Sequence, residues 1–143
     1  METKENGKEV IIASARKALE QNELLQSSFE NINEFLETEK IPQRITLSIV
    51  ELIENEDWAE LNDRFHTNLA FGTGGMRGRT IGKTVTDSEK GRKTPEGGPE
   101  FAAVGTNTLN ELTVLRATKA LFLYLKQWMA EKSIYEQPRL VVA

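Results

Sequence analysis

The stretch from Phe71 to Thr84, FGTGGMRGRTIGKT, concentrates the residue types that handle anions: five of its fourteen residues are glycine, and Arg77, Arg79 and Lys83 lie among them. Successive glycines let backbone N–H groups turn toward an anion with no side chain in the way, and an arginine beside them adds a planar fork matched to phosphate oxygens. Arg77 is the candidate functional cation, and Thr73, Gly74, Gly75 and Gly78 are the candidate ligand-contacting residues around it. Composition alone fits a tight turn with surface arginines equally well.

Two nucleotide fingerprints come close and fail. In a G-x-G-x-x-G reading, Gly72 and Gly74 fill the first two positions and the third falls on Arg77. In a G-x-x-x-x-G-K-[ST] reading, Gly82, Lys83 and Thr84 supply the end, but the first glycine again falls on Arg77. A helix must also follow the threonine directly to aim its N-terminus at the phosphates, and VTDSEKGRKTPEGG does not promise one.

Other chemistries find little material. The chain has no cysteine, so thiolate metal sites, disulfides and cysteine nucleophiles are excluded, which fits a reducing, cytoplasmic compartment. His66 is the only histidine, and at the end of a predicted helix it suits a structural role beside the last carbonyls. Acidic runs such as ENED read as solvated surface, and no spacing resembles a hard-cation loop, so no metal ligand is assigned. Trp58 and Trp128 sit on apolar stripes and are expected in the core. The basic residues between 77 and 93 are interrupted by Asp87 and Glu89 and lack interleaved aromatics, which argues against a nucleic-acid partner.

The elements that must position the glycine stretch are mostly helical. Leu25, Phe29, Ile32 and Leu36 form one stripe, and Ile45, Ile49, Leu52 and Ile53 form another after Pro42. Asp57 and Glu60 have capping-box spacing ahead of Trp58, Leu61 and Phe65. The spacing predicts three or four helices before His66, then a short strand at NLAF. Eight of the ten glycines fall between 72 and 98, so no regular element is expected there, and DSEKGRKTPEGGPE reads as a mobile insertion. Thr108 and Glu111 open a predicted helix to about residue 132, whose arc Val114, Leu115, Thr118, Leu121, Phe122, Leu125, Trp128 and Met129 is apolar. RLVVA at the end has the continuous apolar character of a buried parallel strand.

The predicted fold class is therefore α/β: a helical leader over 1–66 and, over 67–143, the beginning of an α/β/α domain with an irregular insertion near 83–100. The net charge of −4 divides unevenly, with 15 acids against 7 bases up to residue 66 and 7 against 11 beyond it, so an anionic partner would meet the second half. No apolar run reaches the roughly 18 to 20 residues of a membrane span, and METKENGKEV lacks a secretory signal's apolar stretch, so no membrane partner is expected.

The order LAFGTGGMRG, then GTNTLNELTVLRATKALFLYLK, then PRLVVA resembles the start of the α-D-phosphohexomutase superfamily, the phosphoglucomutase and phosphomannomutase enzymes. The resemblance covers roughly residues 43 to 143. It implies a cytoplasmic isomerase of four domains, the first three built on mixed α/β sheets. Such an enzyme moves a phosphoryl group between the 1 and 6 positions of a hexose through a phosphoserine and a sugar bisphosphate. It further implies glucose 1,6-bisphosphate and Mg²⁺ as cofactors of the full-length enzyme, a sugar phosphate as partner, and Arg77 in the cleft near the phosphoserine.

The family's phosphoserine segment, T-A-S-H-N-P, and its metal motif, D-x-D-x-D-R, are absent from the sequence. None of its serines sits in that setting. The resemblance thus implies an N-terminal fragment that forms one wall of the cleft, is inactive alone, and has the missing C-terminal remainder as its natural complement. A phosphopentomutase branch shares the same loop. A non-catalytic module that binds a partner through an open RLVVA edge and the uncovered face of helix 108–132 is the competing class.

Overall fold

A computed structural model describes residues 2–37, 41–92 and 94–139. The chain divides into two compact units, Met1–Asn110 and Glu111–Ala143. Residues 1–66 and the glycine-rich stretch thus share one unit, and the expected division at 66/67 lies within it.

The first unit opens with four helices: α1 (Glu2–Glu20), α2 (Gln26–Glu37), α3 (Gln43–Glu54) and α4 (Trp58–Phe65). Each buries one stripe. Ile11, Ala15 and Ala18 face inward from α1, Phe29, Ile32 and Leu36 from α2, Ile45, Ile49, Leu52 and Ile53 from α3, and Leu61 and Phe65 from α4. The rings of Phe35 and Phe65 meet edge to face, with centroids 5.7 Å apart. Fully buried side chains of this size each contribute about 1.5–3 kcal/mol, so the helical leader has its own core.

Local chemistry sets the boundaries. Asn22 takes a positive φ of 61° at the end of α1, where Glu23 N donates to Ala18 O at 2.9 Å, a left-handed helix stop that asparagine tolerates. Asn62 of α4 then secures that turn from both sides: its Nδ2 donates to Glu23 O at 2.8 Å and its Oδ1 accepts from Leu25 N at 2.9 Å. Leu25 itself is exposed, and Leu24 takes the buried place on that stripe. Asp57 caps α4 as its spacing predicts, accepting from Glu60 N at 3.1 Å.

After α4 the chain forms a two-stranded antiparallel hairpin, β1 (Phe71–Gly72) and β2 (Gly75–Met76), with Phe71 opposite Met76 and Gly72 opposite Gly75. The strand expected at NLAF is confined to its last residue plus Gly72. Contrary to expectation, the stretch that follows is tied down. It contains a single helical turn, α5 (Asp87–Lys90), whose Glu89 side chain is buried. The loop returning from α5 is also fastened: Arg92 N donates to Glu100 Oε2 at 2.5 Å, Glu100 N to Lys90 O at 3.0 Å and Phe101 N to Glu89 O at 3.0 Å. The Arg44 guanidinium lies 4.2 Å from the centre of the Phe101 ring.

The second unit is the helix α6 (Glu111–Glu131) and the residues after it. Only Thr113 and Met129 are buried along it. Leu115 is 62% exposed, Phe122 48% and Trp128 40%, whereas Met129 of the same arc is buried, so Trp128, expected in the core, is exposed. Trp58 is half-buried. Helical periodicity reports that a face is apolar; it does not report that anything packs on it. The sheet described is the antiparallel hairpin alone, and Leu140–Ala143, on which most of the RLVVA strand falls, lie outside the described residues.

Candidate functional site

The hairpin places Thr73 and Gly74 at a two-residue tip between paired Gly72 and Gly75. Gly75 has φ +121°, a conformation that side chains rarely adopt, so glycine is required there. A Cβ on Gly74 would stand 2.9 Å from Nη2 of Arg77, the far end of an exposed side chain that can move aside. The Arg77 guanidinium therefore lies beside Gly74 of the tip, bringing these two candidate residues together. Gly78 is set below them, where a Cβ would stand 3.0 Å from Leu69 Cδ1 and 3.2 Å from Leu109 N.

That last contact joins the two motifs on which the family resemblance rests. Leu109 N donates to Arg79 O at 2.8 Å, Leu69 N to Thr106 O at 2.8 Å, Ala103 N to Thr80 O at 2.8 Å, and Thr106 Oγ1 to Thr67 O at 2.6 Å. Asn107 reaches the end of α4, its N donating to Arg64 O at 2.9 Å and its Nδ2 to Asp63 O at 3.1 Å. The segment Ala103–Leu109 thus holds both the feet of the hairpin and the helix before it. Thr108 Oγ1 and Asn110 Nδ2 turn inward to the Ala103 carbonyl, at 2.6 and 3.2 Å.

Beneath the hairpin lies an ionic core that sequence reading missed. Arg64 of α4 is fully buried, and its guanidinium donates to Glu60 Oε1 at 2.8 Å, Glu89 Oε1 at 2.5 Å, Thr84 O at 2.6 Å and Val104 O at 3.3 Å. Glu89 accepts further from Ser48 Oγ at 2.9 Å, Val104 N at 2.8 Å and Thr86 N at 3.2 Å. Burial alone would push the Glu89 carboxyl up; hydrogen bonds and charge from Arg64, with the amides of Val104 and Thr86, outweigh it and hold the carboxyl below its ordinary value. The same balance keeps the Arg64 guanidinium charged: desolvation disfavours the cation, and Glu89 and Glu60 more than restore it.

Gly82, which imitates a nucleotide-loop glycine in the sequence, belongs to this core. A Cβ on it would collide with Arg64 Nη2 and stand 2.5 Å from Thr84 O and 2.6 Å from Glu60 Oε1. RTIGKT is the strap that crosses the buried guanidinium. A signal for this arrangement was present in the spacing Thr86-x-x-Glu89, which has capping-box form.

Arg77 contrasts with the other arginines nearby. Arg64 and Arg79 hold carboxylates of α4 or α5, and Arg92 holds Glu100. Among the described residues no carboxylate pairs with Arg77, which is exposed. His66 stands at the end of α4 as expected, its Nδ1 3.1 Å from Asn62 O and 3.2 Å from Asp63 O. Among the described residues no three His, Asp or Glu side chains converge as a metal site. No described helix is long and apolar enough to cross a membrane. Compared with known proteins, the chain matches no family model, no curated relative and no solved structure.

Proposed function

We infer that the hairpin is an anion-presenting element, and that its ligand is the phosphate of a sugar phosphate. The observation that carries this reading is the pairing of an exposed Arg77, free of carboxylate partners among the described residues, with a glycine tip beside which its guanidinium lies. A transferring phosphoryl group needs fixed positive donors where charge accumulates, and arginine supplies them at every working pH.

The enzyme to which this wall belongs is, in this proposal, a phosphohexomutase acting on glucose or mannose phosphate, with the phosphopentomutase branch as the nearest variant. Support comes from the stitching of FGTGGMRG to GTNTLN through Gly78, Arg79 and Leu109. The phosphoserine and the Mg²⁺ ligands are supplied by residues other than these 143, because neither motif occurs in the sequence. Arg77, Thr73, Gly74, Gly75 and Gly78 bind and orient, and do not carry the phosphoryl group. The chain is inactive alone.

Titrating the chain with glucose 1,6-bisphosphate while following backbone amides by NMR tests the reading. The amides of residues 72 to 78 are expected to shift, and the shifts to vanish in Arg77→Met. Amides that stay in place at millimolar ligand would overturn it, and phosphoglucomutase turnover by the chain alone would overturn the assignment of the serine elsewhere. The exposed apolar residues of α6, Leu115, Leu121 and Phe122 among them, favour a second reading, a partner-binding module, in which the hairpin ignores sugar phosphates.

A further inference from the structure

Arg79 stands two residues beyond Arg77, on the outgoing leg of the hairpin, and it is fastened in three ways. Its Nη2 is in contact with Asp63 Oδ2 and lies 3.5 Å from Glu60 Oε1, both on α4. Its backbone oxygen accepts from Leu109 N at 2.8 Å, and the residue bridges to Thr108. Glu60 is itself fixed: it is 3% exposed, and its Oε1 also accepts from Arg64 Nε at 2.8 Å and Lys83 N at 3.1 Å.

The other side of Arg77 is equally determined. The Gly72–Gly75 pair closes the tip, and Gly78 is pressed on Leu69 and the Leu109 amide. Between the closed tip and the anchored Arg79 the chain has only Met76, Arg77 and Gly78 with which to turn. Anchoring the leg fixes the direction in which the Arg77 Cα–Cβ bond leaves it. A guanidinium held in one place loses less freedom on meeting an anion than one that sweeps through solvent.

The geometry points to Arg79 as a positioning residue for Arg77: its bridge to Asp63 and Glu60 transmits the rigid frame of α4 to the hairpin and holds the Arg77 guanidinium over Gly74. The functional consequence rests on the phosphate reading above; the positioning itself does not. It also gives the helical leader a role at the site, because the acceptors lie on its last helix.

The test uses the whole chain and reads Arg77 twice. Without ligand, nuclear Overhauser contacts between the Arg77 side chain and Gly74, together with ¹⁵N relaxation at Arg77 Nε, report where the guanidinium is held. With inorganic phosphate as probe, the shifts of the Gly74 and Gly75 amides report affinity. Arg79→Met is expected to abolish the Arg77–Gly74 contact, to loosen Nε, and to weaken phosphate binding on the order of five- to tenfold, the low end of coupling between two sites. The amides of α2 and α3 should stay in place, and Arg79→Lys should recover part of the loss, since an ammonium can pair with Asp63 without reproducing the fork. An intact Arg77–Gly74 contact and unchanged relaxation in folded Arg79→Met would overturn the proposal. Should that variant unfold, Asp63→Asn is read in the same way: loss of the Arg77–Gly74 contact supports the positioning role, and an intact contact overturns it. A wild-type chain that ignores phosphate removes the phosphate reading alone, and the ligand-free contact still decides the positioning.

Discussion

Arg64 and Arg77 carry the same side chain into opposite surroundings. Around Arg64 every direction of the guanidinium is taken, by Glu60, Glu89 and the carbonyls of Thr84 and Val104, and no surface remains exposed. Around Arg77 there is a glycine tip, solvent, and no carboxylate among the described residues. A buried cation with all donors used is committed to the fold, whereas an exposed cation on a rigid turn is available to a ligand. The two are separated by one helix end and one hairpin, and Arg79 is the residue that touches both settings.

The contrast is tested most severely at Arg64. Arg64→Met leaves Glu89 buried without its cation and Glu60 with only the longer contact to Arg79, and removal of one partner from a buried pair costs about 3–5 kcal/mol. Against the roughly 5–15 kcal/mol of an ordinary domain this brings the chain close to unfolding, which urea denaturation would register. A loss below about 1 kcal/mol would mean that the ionic core is not what holds α3, α4 and α5 together. Gly82→Ala attacks the same place by sterics, since the Thr84 carbonyl is backbone and Glu60 is fixed. The expected loss is about 1–3 kcal/mol, the range of overpacking, with the Arg64 hydrogen bonds displaced.

Acid offers a milder probe. Because Glu89 is held below its ordinary value in the fold, the native state binds fewer protons there than the unfolded chain. The stabilisation is complete above the unfolded carboxylate value, about 4.3, and is lost as pH falls toward and through the depressed native value. Urea midpoints measured from about pH 6 down to about pH 3 should therefore decline, and the Glu89→Gln variant should decline less steeply. Parallel slopes in the two proteins would locate the acid sensitivity elsewhere.

Next in size is the hairpin. Gly75→Ala forces a side chain to φ +121°, a region that costs of order 1–3 kcal/mol. Hydrogen exchange should show the loss confined to residues 71–76, with the amides of α4 protected as before. Loss of protection at Leu61 and Phe65 would show that hairpin and ionic core are one cooperative unit, which would blunt the contrast between the two arginines.

Much of this arrangement was legible in the chain, and the reasons for the remainder are physical. The stripes of α2 and α3 and the Asp57 cap follow from spacing, because a helix in contact with a core imposes its period on the sequence. The glycine turn around Arg77 was legible because a backbone at φ +121°, as at Gly75, calls for glycine. The α5 turn was hidden: Thr86-x-x-Glu89 lies among lysines and glycines, and a glutamate in such company reads as solvated unless its buried partner is known. That partner, Arg64, lies on another element, and the Arg79–Asp63 pair is likewise made across elements, where periodicity carries no signal. Trp128 was misplaced for the converse reason, since an apolar arc specifies what a helix can bury and not what stands against it.

The smallest effect on stability is expected at Arg77, and it sharpens the comparison most. Arg77→Met removes an exposed side chain without a carboxylate partner among the described residues, so stability in urea should stay within about 0.5 kcal/mol of wild type. The same substitution should abolish the amide response of residues 72–78 to sugar phosphate, because the methionine retains the apolar stem and loses every donor. Arg64→Met, by contrast, should reach its effect on the hairpin only through unfolding. If Arg77→Met instead destabilised the chain by several kcal/mol, the guanidinium would be a structural strut over Gly74, and the division between a committed and an available arginine would fall.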